Sequence, residues 1–236
     1  MTKTKLLRLA VIGDGKMGRA VASLAEEHGF TVVAFLGEGE VLPQGLTKSL
    51  LNGAEVAVEF TAPKQAAANV RGCVRAGCPV VCGTTGWDVA RAKVEKEVRA
   101  QKGALLWAPN FSIGVHLFAR IVEHAAGLVA KSHAGFDAHL VETHHDQKLD
   151  APSGTARALA DRVAKAAGKP LPITSIRVGS VPGTHEVIFD GAFEQIRLEH
   201  IARDRRVFAT GALTAARWLV GKHGVFTLDH MLGSSA

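Results

Sequence analysis

The sequence predicts an α/β fold: a Rossmann-like doubly wound parallel sheet, followed by a second α+β domain with a mixed or antiparallel sheet. Short apolar runs alternate with helix-like segments over the first 110 residues, and the first of these runs ends in a glycine-rich turn. After residue 111 the alternation gives way to a long helix and several strand-like runs. The first domain is predicted to comprise residues 1–111 and 212–236, and the second residues 112–211.

The first half of the chain contains the pattern of a parallel sheet. Five apolar runs bounded by glycine or polar residues predict buried strands at Leu6–Ile12, Thr31–Leu36, Val56–Phe60, Pro79–Cys82 and Ala104–Trp107. Helical spacing predicts helices over Met17–His28, Lys64–Ala76 and Asp88–Ala100. Asp88 is predicted to cap the last of these helices. The glycine-rich stretch 37–53 is predicted to be a loop with one short helix.

The second half mixes helices and strands in a different order. Helices are predicted over Ile113–Ala130, Gly154–Ala167 and Ala212–Val220. Strands are predicted at Phe136–Val141, Ile173–Val178, His185–Asp190 and Gln195–Ile201, with a further strand at Val207–Ala209. The two strands that flank Gly191 are expected to pair antiparallel.

Composition limits the function classes that need to be considered. The chain has 28 Lys and Arg against 22 Asp and Glu, a net charge of +6, but the basic residues are dispersed and do not interleave with the few aromatic residues. Nucleic-acid binding is therefore not expected. The chain contains no tyrosine, which excludes the Tyr–Lys proton donor of short-chain dehydrogenases. Any acid must be His, Lys, Cys, Asp or Glu.

Cysteine usage and hydropathy indicate a cytoplasmic protein with no membrane partner. Three clustered cysteines, Cys73, Cys78 and Cys82, fit neither a disulfide framework nor a zinc pattern, and are expected to be buried thiols in a reducing compartment. The longest uncharged stretch, Gly103–Ala119, contains Pro109 and other polar or helix-breaking residues. The apolar N-terminus is better explained as a buried strand than as a signal peptide.

A G-x-G-x-x-G motif follows the first predicted strand and opens the first predicted helix. In that context glycines allow a tight turn and the approach of a pyrophosphate to the helix N-terminus. The predicted cofactor-binding residues of this loop are Gly13, Asp14, Gly15, Lys16, Met17 and Gly18. Glu38 lies 20 residues further on, where a carboxylate accepts hydrogen bonds from the adenosine ribose. A plain glycine-rich turn and a solvated loop acid are the alternatives.

Further candidates follow the other parallel strands. Open α/β sheets bind ligands at the carboxyl ends of their strands. The residues in these positions, predicted to contact the cofactor, are Thr61, Gly83, Thr84, Thr85, Ala108, Pro109, Asn110 and Phe111.

The segment 142–156 combines a candidate proton donor with a candidate anion site. His144, His145 and Lys148 precede a helix that Ser153 is expected to cap, and the amides of Gly154 and Thr155 are expected to bind an anion. The arrangement suits a carboxylate-bearing substrate. A zinc site built from His139, His144 and His145 is the first alternative, but helical pairing and a clear carboxylate or Cys partner are lacking. Surface histidines and a solvated lysine are the others.

These residues belong to motifs that resemble bacterial 4-hydroxy-tetrahydrodipicolinate (dihydrodipicolinate) reductases along nearly the whole chain. The motifs are VIGDGKMGRA (11–20), VEFTAP (58–63), VVCGTTGW (80–87), APNFSIGV (108–115), VETHHDQKLDAPSGTA (141–156) and GALTAARWLVGK (211–222). The resemblance implies hydride transfer from NADH or NADPH to a cyclic unsaturated dicarboxylate in lysine and diaminopimelate biosynthesis. It also implies a homotetramer assembled through the sheets of the second domain. From the residues themselves, no metal is expected.

The resemblance further assigns roles within the segment 142–156. His144 would be the proton donor or its stabiliser, and Lys148 the second catalytic group. The substrate would be bound by His145, Ser153, Gly154 and Thr155. A non-catalytic dinucleotide sensor is the alternative function.

The cofactor preference is predicted from the stretch after the second strand. An adenosine 2′-phosphate needs a nearby cation, whereas this chain has Glu38 and Glu40 there and no Lys or Arg before Lys48. NADH is therefore favoured. Lys16, in the glycine loop, is the candidate cation for NADPH, and dual use is the rival prediction.

Overall fold

The computed structural model describes residues 5–37 and 45–233. The elements, in chain order, are β1 (Leu7–Ile12), α1 (Lys16–Leu24), β2 (Phe30–Leu36), β3 (Val56–Glu59), α2 (Pro63–Arg75), β4 (Val80–Cys82), α3 (Asp88–Ala100), β5 (Ala104–Trp107), α4 (Ile113–Ser132), β6 (Asp137–His144), α5 (Gly154–Ala167), β7 (Ile173–Arg177), β8 (Thr184–Asp190), β9 (Gln195–Ile201), α6 (Arg206–Leu219), β10 (Gly224–Phe226) and α7 (Leu228–Met231).

The chain divides into two compact units. Unit 1 comprises Met1–Ser112 and Arg206–Ala236, and unit 2 comprises Ile113–Arg205. The sequence-based division instead placed its second boundary between residues 211 and 212, inside helix α6.

Unit 1 contains a parallel sheet with helices on both faces. Within the described residues its strand order is β10-β5-β4-β3-β1-β2, and every pairing is parallel. Neighbouring residues of β1 and β3 face two different apolar clusters: Val11 and Val58 belong to one, and Ala10 and Ala57 to the other. Because both faces are buried, the strands are apolar throughout, and the predicted Rossmann-like fold is confirmed.

Unit 2 contains a mixed sheet covered on one face. In residues 113–205, all of which the structure describes, the strand order is β7-β6-β8-β9, with β6 and β7 parallel and the other pairs antiparallel. Leu140, Val187 and Phe189 pack with Val122 of α4 and Leu159 of α5 in one cluster. The predicted mixed sheet is therefore confirmed.

Some predicted elements were wrong. The predicted strand Val207–Ala209 lies inside α6, because Ala209, Ala212 and Ala216 form one buried helical stripe. Strand β10 and helix α7 were not predicted. The N-cap of α3 is Trp87 and not Asp88, which is the first helical residue and pairs with Arg91.

Two further differences concern segment lengths. The helix predicted over Met17–His28 ends at Leu24 and continues as turns to Gly29. The short helix predicted within 37–53 falls partly outside the described residues, and residues 48–53 form turns. Strand β6 extends to His144, three residues beyond its predicted end, which places two residues of the candidate site on a rigid strand.

Helix α4 is long and apolar enough to cross a membrane by length and composition alone. It carries Arg120 and Glu123 along its length, and it packs against α5 within unit 2. Charged residues are rare within spanning helices, so this single helix is weak evidence for a membrane span.

Candidate active site

A pocket of about 400 Å³ lies at the carboxyl ends of β1, β2 and β3 in unit 1. Four of the residues predicted to bind the cofactor line it: Gly13, Asp14, Gly15 and Thr61. Strand β1 lies between β2 and β3 in the sheet. The pocket is therefore at the switch point of the strand order, where doubly wound sheets bind their ligands.

The three positions of the first loop are occupied by glycine for different structural reasons. Gly13 has a φ of 109°, and a Cβ there would lie 2.0 Å from the carbonyl oxygen of Phe60. A Cβ at Gly18 would lie 1.8 Å from the carbonyl oxygen of Gly13. Gly15 has an ordinary φ, and no described atom lies within 4 Å of its Cβ position. The fold itself thus requires Gly13 and Gly18, whereas Gly15 leaves the backbone open to a ligand.

Gly15 is also the N-cap of α1, and no described side chain caps this helix end. Lys16, Met17 and Gly18 form the first turn of the helix. Backbone amides at such an end and the positive pole of the helix bind phosphate. The loop therefore fits the pyrophosphate of a dinucleotide.

The other predicted cofactor residues follow neighbouring strands of the same sheet. The hydroxyl of Thr84 accepts a hydrogen bond of 2.8 Å from the backbone amide of Thr61, which ties two of these strand ends together. The ring of Phe111 packs edge-on against Phe60, with centroids 5.9 Å apart. Gly83, Thr85, Ala108, Pro109 and Asn110 follow β4 and β5. Glu38 lies outside the described residues.

A buried carboxylate that the sequence analysis missed supports this pocket. Glu59, at the end of β3, is fully buried and accepts a hydrogen bond from the hydroxyl of Thr61 and another, of 3.3 Å, from Asn69. The thiol of Cys82 lies 3.0 Å from its other oxygen. Burial, reinforced by the charge of Glu59, raises the pKa of Cys82. All three cysteines are free and buried, which confirms the prediction of buried thiols.

Unit 2 assembles a second constellation around the end of β6 and the start of α5. Ser153 caps α5, as predicted, by accepting a hydrogen bond of 3.1 Å from the amide of Ala156. Gly154 is exposed, and no described atom lies within 4 Å of its Cβ position. The ammonium of Lys148 lies 2.6 Å from the carboxylate of Asp150. Lys148 first, and then the backbone amide of Gly154, hold the pKa of Asp150 below its usual value.

Asp150 is thus a carboxylate bound by Lys148, the predicted second catalytic group, and by the amide of Gly154, which was predicted to bind a substrate carboxylate. The sequence analysis had not selected it. The contact indicates that this end of α5, with the lysine beside it, is chemically suited to carboxylates.

His144 and His145 occupy different environments although they are adjacent. His145 Nε2 lies 3.1 Å from Nη2 of Arg205. Because a guanidinium only donates, this nitrogen of His145 acts as the acceptor in the contact. Arg205 was not predicted as a site residue. His144 is buried, 8% exposed, with Nδ1 3.2 Å from Oε2 of Glu142.

Glu142 is a further site residue that the sequence analysis missed, and it is fully buried. Burial alone would raise its pKa. Hydrogen bonds from Ser153, Arg177 and Ser175 outweigh burial and lower the pKa to about 2. Glu142 is therefore ionised at neutral pH.

Burial lowers the pKa of His144, and the negative charge of Glu142 opposes that shift. Lys148 and Arg177 lower it further, and Asp150 raises it. His185 packs its ring edge-on against His144 at 5.2 Å, and burial lowers the pKa of His185 to about 4.

Glu142, His144 and His185 each offer a ligand atom, and these atoms lie within 4.8 Å of one another. This set differs from the one considered from the sequence, because it contains Glu142 and His185 and lacks His139 and His145. His139 instead bonds Thr174. The guanidinium of Arg177 lies 2.8 Å from the other oxygen of Glu142. This positive charge disfavours a divalent cation at the cluster.

Comparison with known proteins agrees with this geometry. Residues 7–111 match the family described as dihydrodipicolinate reductase, N-terminus, and residues 114–232 match dihydrodipicolinate reductase, C-terminus. The chain belongs to the dihydrodipicolinate reductase family. The predicted family, and with it the predicted oxidoreductase function, is confirmed.

Relatives named 4-hydroxy-tetrahydrodipicolinate reductase match over nearly their whole length. One from Christiangramia forsetii is 32% identical over 96% of this chain and 98% of its own. One from Xanthomonas euvesicatoria is 36% identical over 93% of this chain and 94% of its own. A dipicolinate-bound dihydrodipicolinate reductase from Paenisporosarcina sp. TG-14 is similar in structure, with a TM-score of 0.77, 25% identity and coverage of 94% and 97%.

A more distant likeness concerns the fold alone. A probable dehydrogenase from Thermotoga maritima has a TM-score of 0.59 at 12% identity, over 94% of this chain and 91% of its own.

Proposed function

We propose that this chain reduces 4-hydroxy-tetrahydrodipicolinate to tetrahydrodipicolinate in the cytoplasm, as a step of lysine and diaminopimelate biosynthesis. The observation that carries the proposal is the arrangement in unit 2, where His144 and Lys148 lie beside the capped N-terminus of α5. A proton donor, a cation and an anion-binding helix end suit a dicarboxylate that must be protonated as it is reduced.

The chemistry requires one hydride and one proton, and the 4-hydroxyl group leaves as water. NADH or NADPH, held at the loop 13–18, supplies the hydride when bound. His144 delivers or stabilises the proton, since its buried ring gives up a proton more readily than an exposed one. Lys148 polarises the substrate or donates the proton itself.

Substrate carboxylates bind at the start of α5 and at His145. The amides of Gly154 and Thr155, ordered by the Ser153 cap, receive one carboxylate. Lys148 neutralises its charge. The contact between Arg205 and His145 adds a cation to the remaining part of the site.

NADH is the proposed cofactor, with use of both cofactors as the rival. A Cβ at Gly37, the residue after β2, would lie 2.9 Å from the carboxylate of Asp14. A negative charge at this position repels a 2′-phosphate and accepts hydrogen bonds from a ribose diol. Lys16 is exposed and is the opposing cation.

A homotetramer assembled through the sheet of unit 2 is proposed from the face of that sheet opposite the helices. Alternate residues of β6, β7, β8 and β9 point to this face, among them Val141, Ile176, Ile188 and Ile201. Ile176 is 42% exposed and Ile201 57% exposed. Light scattering should give about four times the chain mass of 24.9 kDa. A monomer mass at micromolar concentration contradicts the tetramer.

The catalytic proposal is tested by following NADH oxidation at about 340 nm with and without freshly generated substrate. Substrate-dependent oxidation with tetrahydrodipicolinate as the product is expected. Binding of NADH without turnover supports the sensor alternative, and affinity for DNA that falls steeply with salt supports a nucleic-acid binder.

A further inference from the structure

We propose that Glu142 is a positioning residue of the reductase reaction, which fixes the anion-binding segment with one carboxylate oxygen and orients the ring of His144 with the other. This inference rests on the proposed function, in which His144 handles the proton and the start of α5 binds the substrate.

The first oxygen joins three parts of unit 2. Glu142 Oε1 accepts hydrogen bonds from the amide of Ser153 at 2.9 Å, the hydroxyl of Ser175 at 2.7 Å and Nη2 of Arg177 at 2.8 Å. The same guanidinium donates to the carbonyl of Asp150 at 2.5 Å. The loop that carries Lys148 and the cap of α5 are therefore both held on a single buried carboxylate.

The second carboxylate oxygen of Glu142 faces the imidazole rings of two histidines. Glu142 Oε2 lies 3.2 Å from Nδ1 of His144 and 3.9 Å from Nε2 of His185. Oε2 and His144 Nδ1 are both buried, and neither has a hydrogen-bond partner among the described atoms. Because 3.2 Å is near hydrogen-bond length, a small ring rotation would let a protonated His144 donate to this oxygen.

The charges around His144 explain what this contact controls. Glu142 lies beside it on β6, Lys148 and Asp150 on the following loop, Arg177 on β7 and His185 on β8. Glu142 is the nearest negative charge, so its removal leaves Lys148 and Arg177 to disfavour the protonated ring. The pKa of His144 then falls further.

If Glu142 had only a structural role, its replacement would have a different effect. Loss of its Oε1 contacts would loosen the loop 145–153 and raise KM for the substrate. It would not shift the pH at which the proton donor loses its proton. The pH profile therefore separates positioning of His144 from support of the loop.

The experiment is Glu142→Gln in the full chain. Gln keeps an oxygen for Ser153, Ser175 and Arg177 but removes the negative charge facing His144. We expect kcat to fall by about 10- to 100-fold, and the fall of kcat at alkaline pH to begin at a lower pH than in the wild type. KM for NADH should not change.

Two variants serve as controls. Glu123→Gln makes the same change at an ion pair between α4 and α5, and Ser175→Ala removes one donor to Oε1 while the charge remains. Both should keep the wild-type position of the alkaline limb. A folded Glu142→Gln protein whose alkaline limb coincides with that of the wild type overturns the proposal.

Two further measurements keep the test decisive. If Glu142→Gln does not fold, Glu142→Asp replaces it. A reduced kcat with the alkaline limb near its wild-type position then supports the proposal, and a wild-type kcat overturns it.

NMR titration of His144 tests the coupling between Glu142 and His144 without turnover. A wild-type chain that lacks reductase activity refutes the proposed function, whereas an unshifted His144 titration in Glu142→Gln refutes this inference alone.

Discussion

His144 and Lys148 are the residues on which the proposed proton transfer depends. His144 is buried against Glu142, and Lys148 is held by Asp150 at the start of α5. We expect His144→Ala and Lys148→Ala each to lower kcat by about 10²- to 10⁴-fold, with the fold and NADH affinity retained. Steady-state kinetics, circular dichroism and NADH titration check this. Near-normal turnover in either variant contradicts its role. His124→Ala, at an exposed histidine of α4, is the matched control.

The proposed preference for NADH also rests on single residues. The carboxylate of Asp14 adjoins Gly37 at the end of β2. We expect a higher kcat/KM with NADH than with NADPH. Asp14→Asn should raise kcat/KM for NADPH more than for NADH, because it removes a charge that repels the 2′-phosphate. Both cofactors are compared at low and moderate salt.

The contrary outcome is a clear NADPH preference that disappears in Lys16→Ala. It would show that Lys16 outweighs Asp14 and Glu38 in setting the preference.

Local sequence pattern predicts part of the site and not the rest. His144, Lys148 and Ser153 lie within one short segment, so their spacing before a helix was visible. Glu142 was in the same segment, but its partners Ser175 and Arg177 lie 33 and 35 positions away. Those contacts depend on the pairing of β6 with β7, which local spacing does not specify.

Among the elements, the N-terminus of α5 is the proposed carboxylate site. Gly154 has an ordinary φ and no described atom within 4 Å of its Cβ position, so a larger side chain fits the fold. We expect Gly154→Val to raise KM for the dicarboxylate about tenfold or more by obstructing the helix amides, and to leave KM for NADH unchanged. Initial rates at varied substrate concentration measure this.

Gly127→Val is the control, because Gly127 lies in α4 with similarly open space among the described residues. An unchanged substrate KM in Gly154→Val would mean that the carboxylate binds elsewhere.

Strands β1 to β5 were predictable because each is a short apolar run in the sequence. Helix α6 was misjudged in its first turns because Thr210 and Gly211 interrupt the apolar pattern after Val207 and Phe208. Its helical register became clear only from the buried stripe of small residues. Strand β10 has three residues and no periodic signal, and its position is set by pairing with β5.

The whole molecule combines a dinucleotide fold with a unit whose buried polar cluster responds to acid. Burial lowers the pKa of His185 to about 4, and hydrogen bonds lower that of Glu142 to about 2. In the folded state, both side chains thus bind protons less readily than they do in the unfolded chain. Stability is complete above pH 6.5, the usual pKa of histidine, and is lost as the pH falls.

The two groups act in successive pH windows. Between about pH 6.5 and 4, His185 lowers the free energy of unfolding as the pH falls. This is because its ring is protonated in the unfolded chain but stays neutral while it is buried. Glu142 removes stability between about pH 4.5 and 2. Each shift corresponds to roughly 3 kcal/mol in the free energy of unfolding. Unit 2 should therefore begin to lose stability through His185 before its exposed carboxylates are protonated, and lose more through Glu142 at lower pH.

The test compares urea unfolding of the wild type and His185→Gln from pH 7.5 to 4. Gln cannot titrate, so the variant should show a smaller loss of unfolding free energy over this range, whatever its stability at neutral pH. His124→Gln, at an exposed site, should follow the wild-type slope. If His185→Gln and the wild type lose stability in parallel, His185 already exchanges protons freely in the folded state. The buried cluster would then be open to solvent protons, and the acid lability of unit 2 would have to arise elsewhere.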